Sequence, residues 1–177
     1  MDEAVIPECF VDTNLIETLV PPVTRYNHQK GCGTVTMKMK KAFGDRFALG
    51  IIDKDKLEVD YLKEFIIVCE TVSLILHRHR DAAKHHYIIQ ISPAMERFIM
   101  DGAAAVNISL SDFELPMTLE PFKKVSKSVL TKDDDRFKRL FRAMYQAGAE
   151  DMVRLARWVE YLKENRYEAD LDVLKSL

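Results

Sequence analysis

Residues 47–53, "FALGIID", run six positions without a polar side chain and then stop at a carboxylate, with a second carboxylate two residues on at Asp55. A segment that short and that uniformly apolar has no face to offer water. It reads as a strand, 47–52, covered on both sides, the condition of a strand sandwiched between helices. In open α/β sheets ligands collect beyond the carboxyl ends of the strands. Asp53 and Asp55 therefore stand where a hard cation such as Mg²⁺, which prefers oxygen ligands, would be held. The competing reading of the same residues is a charged turn that closes a core strand.

The rest of the chain supplies the partners for such a strand. Cys9, Phe10 and Val11 read as a first strand, 9–11, that runs into Asp12. Leu15, Ile16, Leu19 and Val20 follow at helical spacing until Pro21 and Pro22 stop them. A loop ends in Gly31, Cys32 and Gly33, and a lysine-rich helix is expected over 34–43. Val59, Leu62, Phe65, Ile66 and Cys69 predict another helix. Strands are expected at 74–76 and 87–91. Ser92 and Pro93 then open a helix through Met95, Phe98, Ile99 and Met100.

Strands alternating with helices predict an α/β, Rossmann-like sheet, mostly parallel and flanked by helices. From about residue 107 the pattern turns helical, with helices expected at 134–147 and 150–165 and Gly148 as the stop between them. The expected organisation is an α/β domain over 1–105 and a helical extension over 106–177 packed on it.

Bulk properties narrow the function classes. The chain has 177 residues, 47% hydrophobic and 31% charged, with a net charge of -2, so overall charge selects neither nucleic acid nor membrane. No apolar run approaches the roughly 20 residues that span a bilayer. The start of the chain is acidic and lacks the basic-then-apolar profile of a secretory signal. Three scattered cysteines, Cys9, Cys32 and Cys69, fit reduced thiols rather than a disulfide framework. A cytoplasmic protein is the expectation.

Five constellations could carry chemistry. If the strands ending at Asp12 and at Asp53 are parallel neighbours, Asp12, Asp53 and Asp55 meet at one edge. Two-metal phosphoryl chemistry needs such an arrangement. Asp12 also suits a helix N-cap. Gly31 to Thr34 form a loop at a helix start, able to approach an anion or simply to make a tight turn. Arg25, Lys30, Lys38, Lys40, Lys41 and Arg46 face only Asp45 across 23–46, and a second basic stretch runs from Lys123 to Arg142. Such faces suit a polyanion, because backbone contacts supply most non-specific affinity; solvated helix faces are the commoner explanation of such runs.

His77, His79, His85 and His86 form a cluster. Its arginine and lysine neighbours oppose a metal and favour a polar connection. Glu96 falls early in a helix that follows a strand, near the same rim, where the helix dipole alone would also favour it.

Taken in order, Asp12, the glycines Gly31 and Gly33, Asp53 and Asp55 in "GIIDKDK" and Glu96 in "ISPAMERFIM" resemble a TOPRIM domain, over roughly residues 8–101. That fold is shared by topoisomerases, primases and nucleases of the overcoming-lysogenization-defect type. The resemblance implies Mg²⁺ (or Mn²⁺) held by Asp12, Asp53 and Asp55, with Glu96 completing the catalytic set. Lys30, Lys38, Lys41 and Lys54 would lie along a nucleic-acid backbone. It also admits a protein partner such as an ATPase.

The family's first acid is usually Glu followed by Gly, where this chain has Asp12 and Thr13. That departure keeps a second expectation in play, a non-catalytic binding module with a degenerate metal site. "FVDTNLIETL" also resembles the start of PIN-domain ribonucleases, in which a strand ends in Asp-Thr-Asn, although further acids of that family have no counterpart here.

Overall fold

The computed structural model describes residues 2–54 and 59–177. The apolar run forms its strand: β2 (Ala48–Asp53) is buried from Ala48 to Ile52. It lies between β1 (Val5–Pro7) and β5 (His86–Ile91), and β4 (Leu74–His79) and β3 (Phe65–Glu70) complete a five-stranded sheet of order β1-β2-β5-β4-β3. β1, β2 and β5 are parallel, whereas β4 runs antiparallel to β5 and β3 antiparallel to β4. The sheet is therefore mixed, parallel at one end, rather than mostly parallel throughout. The cause is connection length. Residues 71–73 and 80–85 are too few for the crossover of a dozen or more residues that parallel neighbours require.

Two predicted elements differ in kind. The first strand is Val5–Pro7, and the residues assigned to it instead open α1 (Phe10–Leu19). Cys9 is the N-cap: its Sγ accepts from the Asp12 N–H at 3.5 Å, while Asp12 Oδ2 accepts from the Cys9 N–H at 3.1 Å. This reciprocal capping box starts the helix two residues before Asp12, so Asp12 does not end a strand. The helix expected from Val59 to Cys69 is a short 3₁₀ turn, Asp60–Glu64, followed by β3. Ile66, Ile67 and Val68 are β-branched and favour the extended chain over the helix their spacing mimics.

The basic helix is α2 (Cys32–Lys38), continued by a wider π-type turn over Met39–Phe43. Beyond β5 come α3 (Met95–Ala105), α4 (Leu119–Ser126), α5 (Asp135–Gln146), α6 (Glu150–Asn165) and α7 (Leu171–Ser176). Gly148, at φ 78°, takes the left-handed conformation that separates α5 from α6.

Alternation along the strands sends Val5, Leu49, Ile51 and Ile89 to one face, where α1, α3, α5 and α6 bury them in one continuous core with Phe137, Phe141 and Trp158. Residues 106–177 thus share the core of the sheet. Trp158 is fully enclosed, and its indole N–H donates to the Leu174 carbonyl at 2.9 Å.

The opposite face sends Ile6, Ile52 and Ile88 against Val35, Met39, Tyr61 and Leu62. Gly50 permits that contact: a Cβ there would stand 2.9 Å from Met39 Sδ and 3.1 Å from Val35 Cγ1. Among the described residues no helix is long and apolar enough to cross a membrane.

Candidate acidic site at the carboxyl ends of the parallel strands

Three parallel strands deliver their carboxyl ends to one rim. Pro7 pairs with Ile51 and Asp53 with Ile91, so Glu8, Asp53 and the start of the β5–α3 connection emerge side by side. The Glu8 N–H donates to the Ile51 carbonyl at 3.0 Å, extending the ladder by one bond past β1. α1 and α3 both begin at this rim, and each carries an acid in its first turn, Asp12 and Glu96. The positive ends of two helix dipoles therefore face the same small volume.

Each of four carboxylates commits one oxygen to the fold. Glu8 Oε2 accepts the Asp53 N–H at 2.9 Å, tying β1 to β2 beyond their last paired residues. Asp53 Oδ1 accepts the Met95 N–H at 2.9 Å and so caps α3, whose own N-cap Ala94 has no side chain to do it. Asp12 Oδ2 serves the capping box. Glu96 Oε1 accepts the Ser126 hydroxyl at 2.7 Å, reaching the last turn of α4. The other oxygen of Asp12, Oδ1, is buried and has no hydrogen-bond partner.

Like charges gathered out of water raise one another's pKa. Burial first, then the neighbouring Glu8 and Glu96 carboxylates, push Asp12 well above the ordinary carboxylate value of 3.8. Burial, then Asp12, Glu8 and Glu96, do the same to Asp53. Burial and the Asp12 carboxylate also push the Cys9 thiol far up, so Cys9 is a capping group and not a nucleophile.

Among the described residues no group of three or more His, Cys, Asp or Glu side chains stands in a ready-made metal-holding arrangement. Asp55 lies outside the described residues. Oxygen-only donors nonetheless match the preference of Mg²⁺ or Mn²⁺, and an orphaned buried carboxylate oxygen matches a cation's demand.

The structure brings Asp53, Asp12 and Glu96 to one rim, Asp12 from a helix rather than from a strand end. It adds Glu8, which sequence reasoning missed. The signal was present as an acid directly after Val5, Ile6 and Pro7, but a three-residue strand is too short to show a periodicity.

Lys30 is exposed near the glycine turn; Lys41 and Lys54 are exposed, and Lys38 is half-buried at the end of α2. Gly31, at φ 91°, is the N-cap of α2. Half of the second basic stretch is neutralised locally: Lys123 pairs with Glu120, Arg136 with Asp134, Lys138 with Asp135 and Arg139 with Glu114.

The histidines are not at the rim. His77, His79 and His86 are buried on β4 and β5, on the sheet face opposite the large core, and His85 packs edge-on against Tyr167. His79 Nδ1 accepts the Asp81 N–H at 3.0 Å, so its Nε2 donates to Glu64 Oε2 at 3.2 Å. His86 Nδ1 lies 2.6 Å from the Tyr61 hydroxyl, and His77 Nε2 lies 3.3 Å from Gln90 Oε1.

Comparison with known proteins adds no relative to these observations: no family model, no curated protein and no solved structure matches the chain.

Proposed function

We propose that the rim formed by Glu8, Asp12, Asp53 and Glu96 binds a divalent cation, Mg²⁺ or Mn²⁺, and uses it in phosphodiester cleavage of nucleic acid. One observation carries this reading above the others. Buried Asp12 and Glu96 and half-buried Glu8 and Asp53 gather like charges around an unpartnered Asp12 oxygen, at the strand ends where α/β sheets place ligands. Asp53 and Asp12 would be the principal ligands, Glu8 and Glu96 would complete or orient the set, and Asp55 would join from the adjoining segment. A bound cation supplies Lewis acidity toward the phosphodiester and an acidified water.

The chain's own residues do the positioning. Ser126 steadies Glu96, the Met95 N–H steadies Asp53, and the Cys9 N–H steadies Asp12. Glu8 also bears on the TOPRIM resemblance, because an acid directly after the first strand is what that order of elements asks for. Cys9 rather than Gly follows it. The helical position of Asp12 departs from both resemblances, since each wants that acid at a strand end; only Glu8 offers the TOPRIM order a replacement.

A second reading, a nucleic-acid or protein-binding module whose rim holds no metal, is favoured by the lack of a ready-made metal set among the described residues. Cleavage of single-stranded and duplex oligonucleotides in Mg²⁺ and in Mn²⁺ separates the two. Asp53→Asn, alone and with Asp55→Asn, should lower divalent-dependent cleavage by more than about a hundredfold while circular dichroism stays native. Cleavage by the variants at the parent rate would overturn the catalytic reading. Calorimetric titration showing no metal binding by the parent protein would favour the second.

A further inference from the structure

We propose that the cleft beside β1, formed by the 25–28 segment, the end of α2 and the turn carrying Lys132, seats a phosphodiester of a single nucleic-acid strand. It rests on the rim reading only in assigning the strand a destination. The cleft encloses about 390 Å³ and is lined by Arg25, His28, Lys38 and Lys132, with Asn27 and one acid, Glu3. Its three formal cations come from three different segments, with Lys132 far from the other two in the chain. Among the described residues none of the three has an ion pair or a side-chain hydrogen bond.

Elsewhere in the molecule several cations are committed to ion pairs. Lys40 is paired to Glu64 at 2.7 Å, Arg136 to Asp134 at 2.7 Å and Lys163 to Asp2 at 3.0 Å. Unpaired cations held around one concavity repel each other and focus a positive potential into it, which an anion relieves. Lys38 and Lys132 are half-buried, so part of their hydration is already lost.

His28 joins this cleft to the acidic rim. Its Nδ1 lies 3.0 Å from the Thr13 hydroxyl, and its ring stacks on Phe10 at 4.3 Å. Phe10 and Thr13 flank Asp12 in the first turns of α1. A strand whose backbone sits among Arg25, Lys38 and Lys132 thus lies along the flank of the helix that bears a rim carboxylate. Burial and the positive charge of Lys132 and Lys30 hold the His28 pKa down, so His28 enters this contact as a neutral hydrogen-bonding group.

The cleft's phenol is not free to stack on a base. Tyr26, its one aromatic phenol, is buried and donates its hydroxyl to the Val20 carbonyl. Recognition of backbone rather than sequence follows.

The test is fluorescence anisotropy with a labelled oligothymidylate in EDTA, titrated over a salt series, so that binding is read apart from metal and cleavage. Arg25→Glu and Lys132→Glu should each weaken binding about tenfold or more, and Arg25→Gln and Lys132→Gln should each lower the salt slope by about one. Lys175→Glu, at the far end of the chain, should bind as the parent does. Parent-like binding by the cleft variants would overturn the proposal. So would complete displacement of the oligonucleotide by inorganic phosphate at concentrations equal to its own, which would mark a small-anion site. Loss of cleavage in Asp53→Asn with these binding results intact concerns the rim alone.

Discussion

The acidic rim and the histidine cluster are both groups of buried and half-buried ionisable side chains on the same sheet, and they are solved in opposite ways. In the cluster each buried imidazole has an uncharged or oppositely charged partner at one nitrogen at least: His77 meets Gln90, His79 meets Glu64 and the Asp81 amide, and His86 meets Tyr61 through Nδ1 while its Nε2 is left without a partner. Burial and the adjacent His79 hold the His86 pKa down to about 4, so the group is neutral and its hydrogen bond is retained at ordinary pH. In the rim the neighbours carry the same sign, and Asp12 Oδ1 has no partner. A buried polar network with complementary partners fixes a shape. One with repelling members keeps a cost in the folded state that only protons or an added cation relieve.

That contrast predicts substitutions of opposite sign. His86→Ala removes a fully buried ring and orphans the Tyr61 hydroxyl, so it should destabilise the protein by about 2–4 kcal/mol in denaturant titration. Cleavage per folded molecule should be unchanged. Asp53→Asn should instead stabilise the metal-free protein, by about 1–3 kcal/mol at neutral pH. Tyr61→Phe keeps the ring and loses one hydrogen bond, for a cost of about 1–2 kcal/mol in the same assay. Lys40→Ala breaks an exposed pair with Glu64 and an exposed contact of the ammonium over the Tyr61 ring, and should cost about 1 kcal/mol or less.

The two regions also impose opposite pH slopes. Asp12 and Asp53 hold protons that the unfolded chain has already released, so the rim's contribution falls as pH rises above about 3.8 toward their folded values. The stability advantage of Asp53→Asn should therefore widen as pH rises from that point. His86 is the reverse. The unfolded chain takes up its proton near 6.5 and the folded chain only near 4, so stability is lost as pH falls through that window. His86→Gln should flatten this acid limb without altering the alkaline one.

The central strand was legible because "FALGIID" buries both its faces, and Asp53 at its end followed from the same pattern. The helices at 134–147 and 150–165 were legible because Phe137, Phe141, Leu155 and Val159 mark single faces and Gly148 parts them. β3 was misread because Phe65 and Ile66 stand together: adjacent apolar residues fit a helical face as readily as a strand whose outer edge is exposed. Asp12 was displaced by Cys9, whose thiol is a weak acceptor seldom weighed as a cap. Ser126 and Lys132 approach the rim and the cleft through tertiary packing over 30 and more residues, for which local periodicity holds no signal.

The most direct test is thermal unfolding of the parent protein and of Asp53→Asn, each in EDTA and in Mg²⁺ or Mn²⁺ at neutral pH. A rim of repelling carboxylates that takes a cation predicts a higher melting temperature for Asp53→Asn in EDTA, a rise on adding divalent metal to the parent, and little or no rise in the variant. A parent protein indifferent to both metals, or an Asp53→Asn variant that is less stable in EDTA and gains equally from metal, would contradict it.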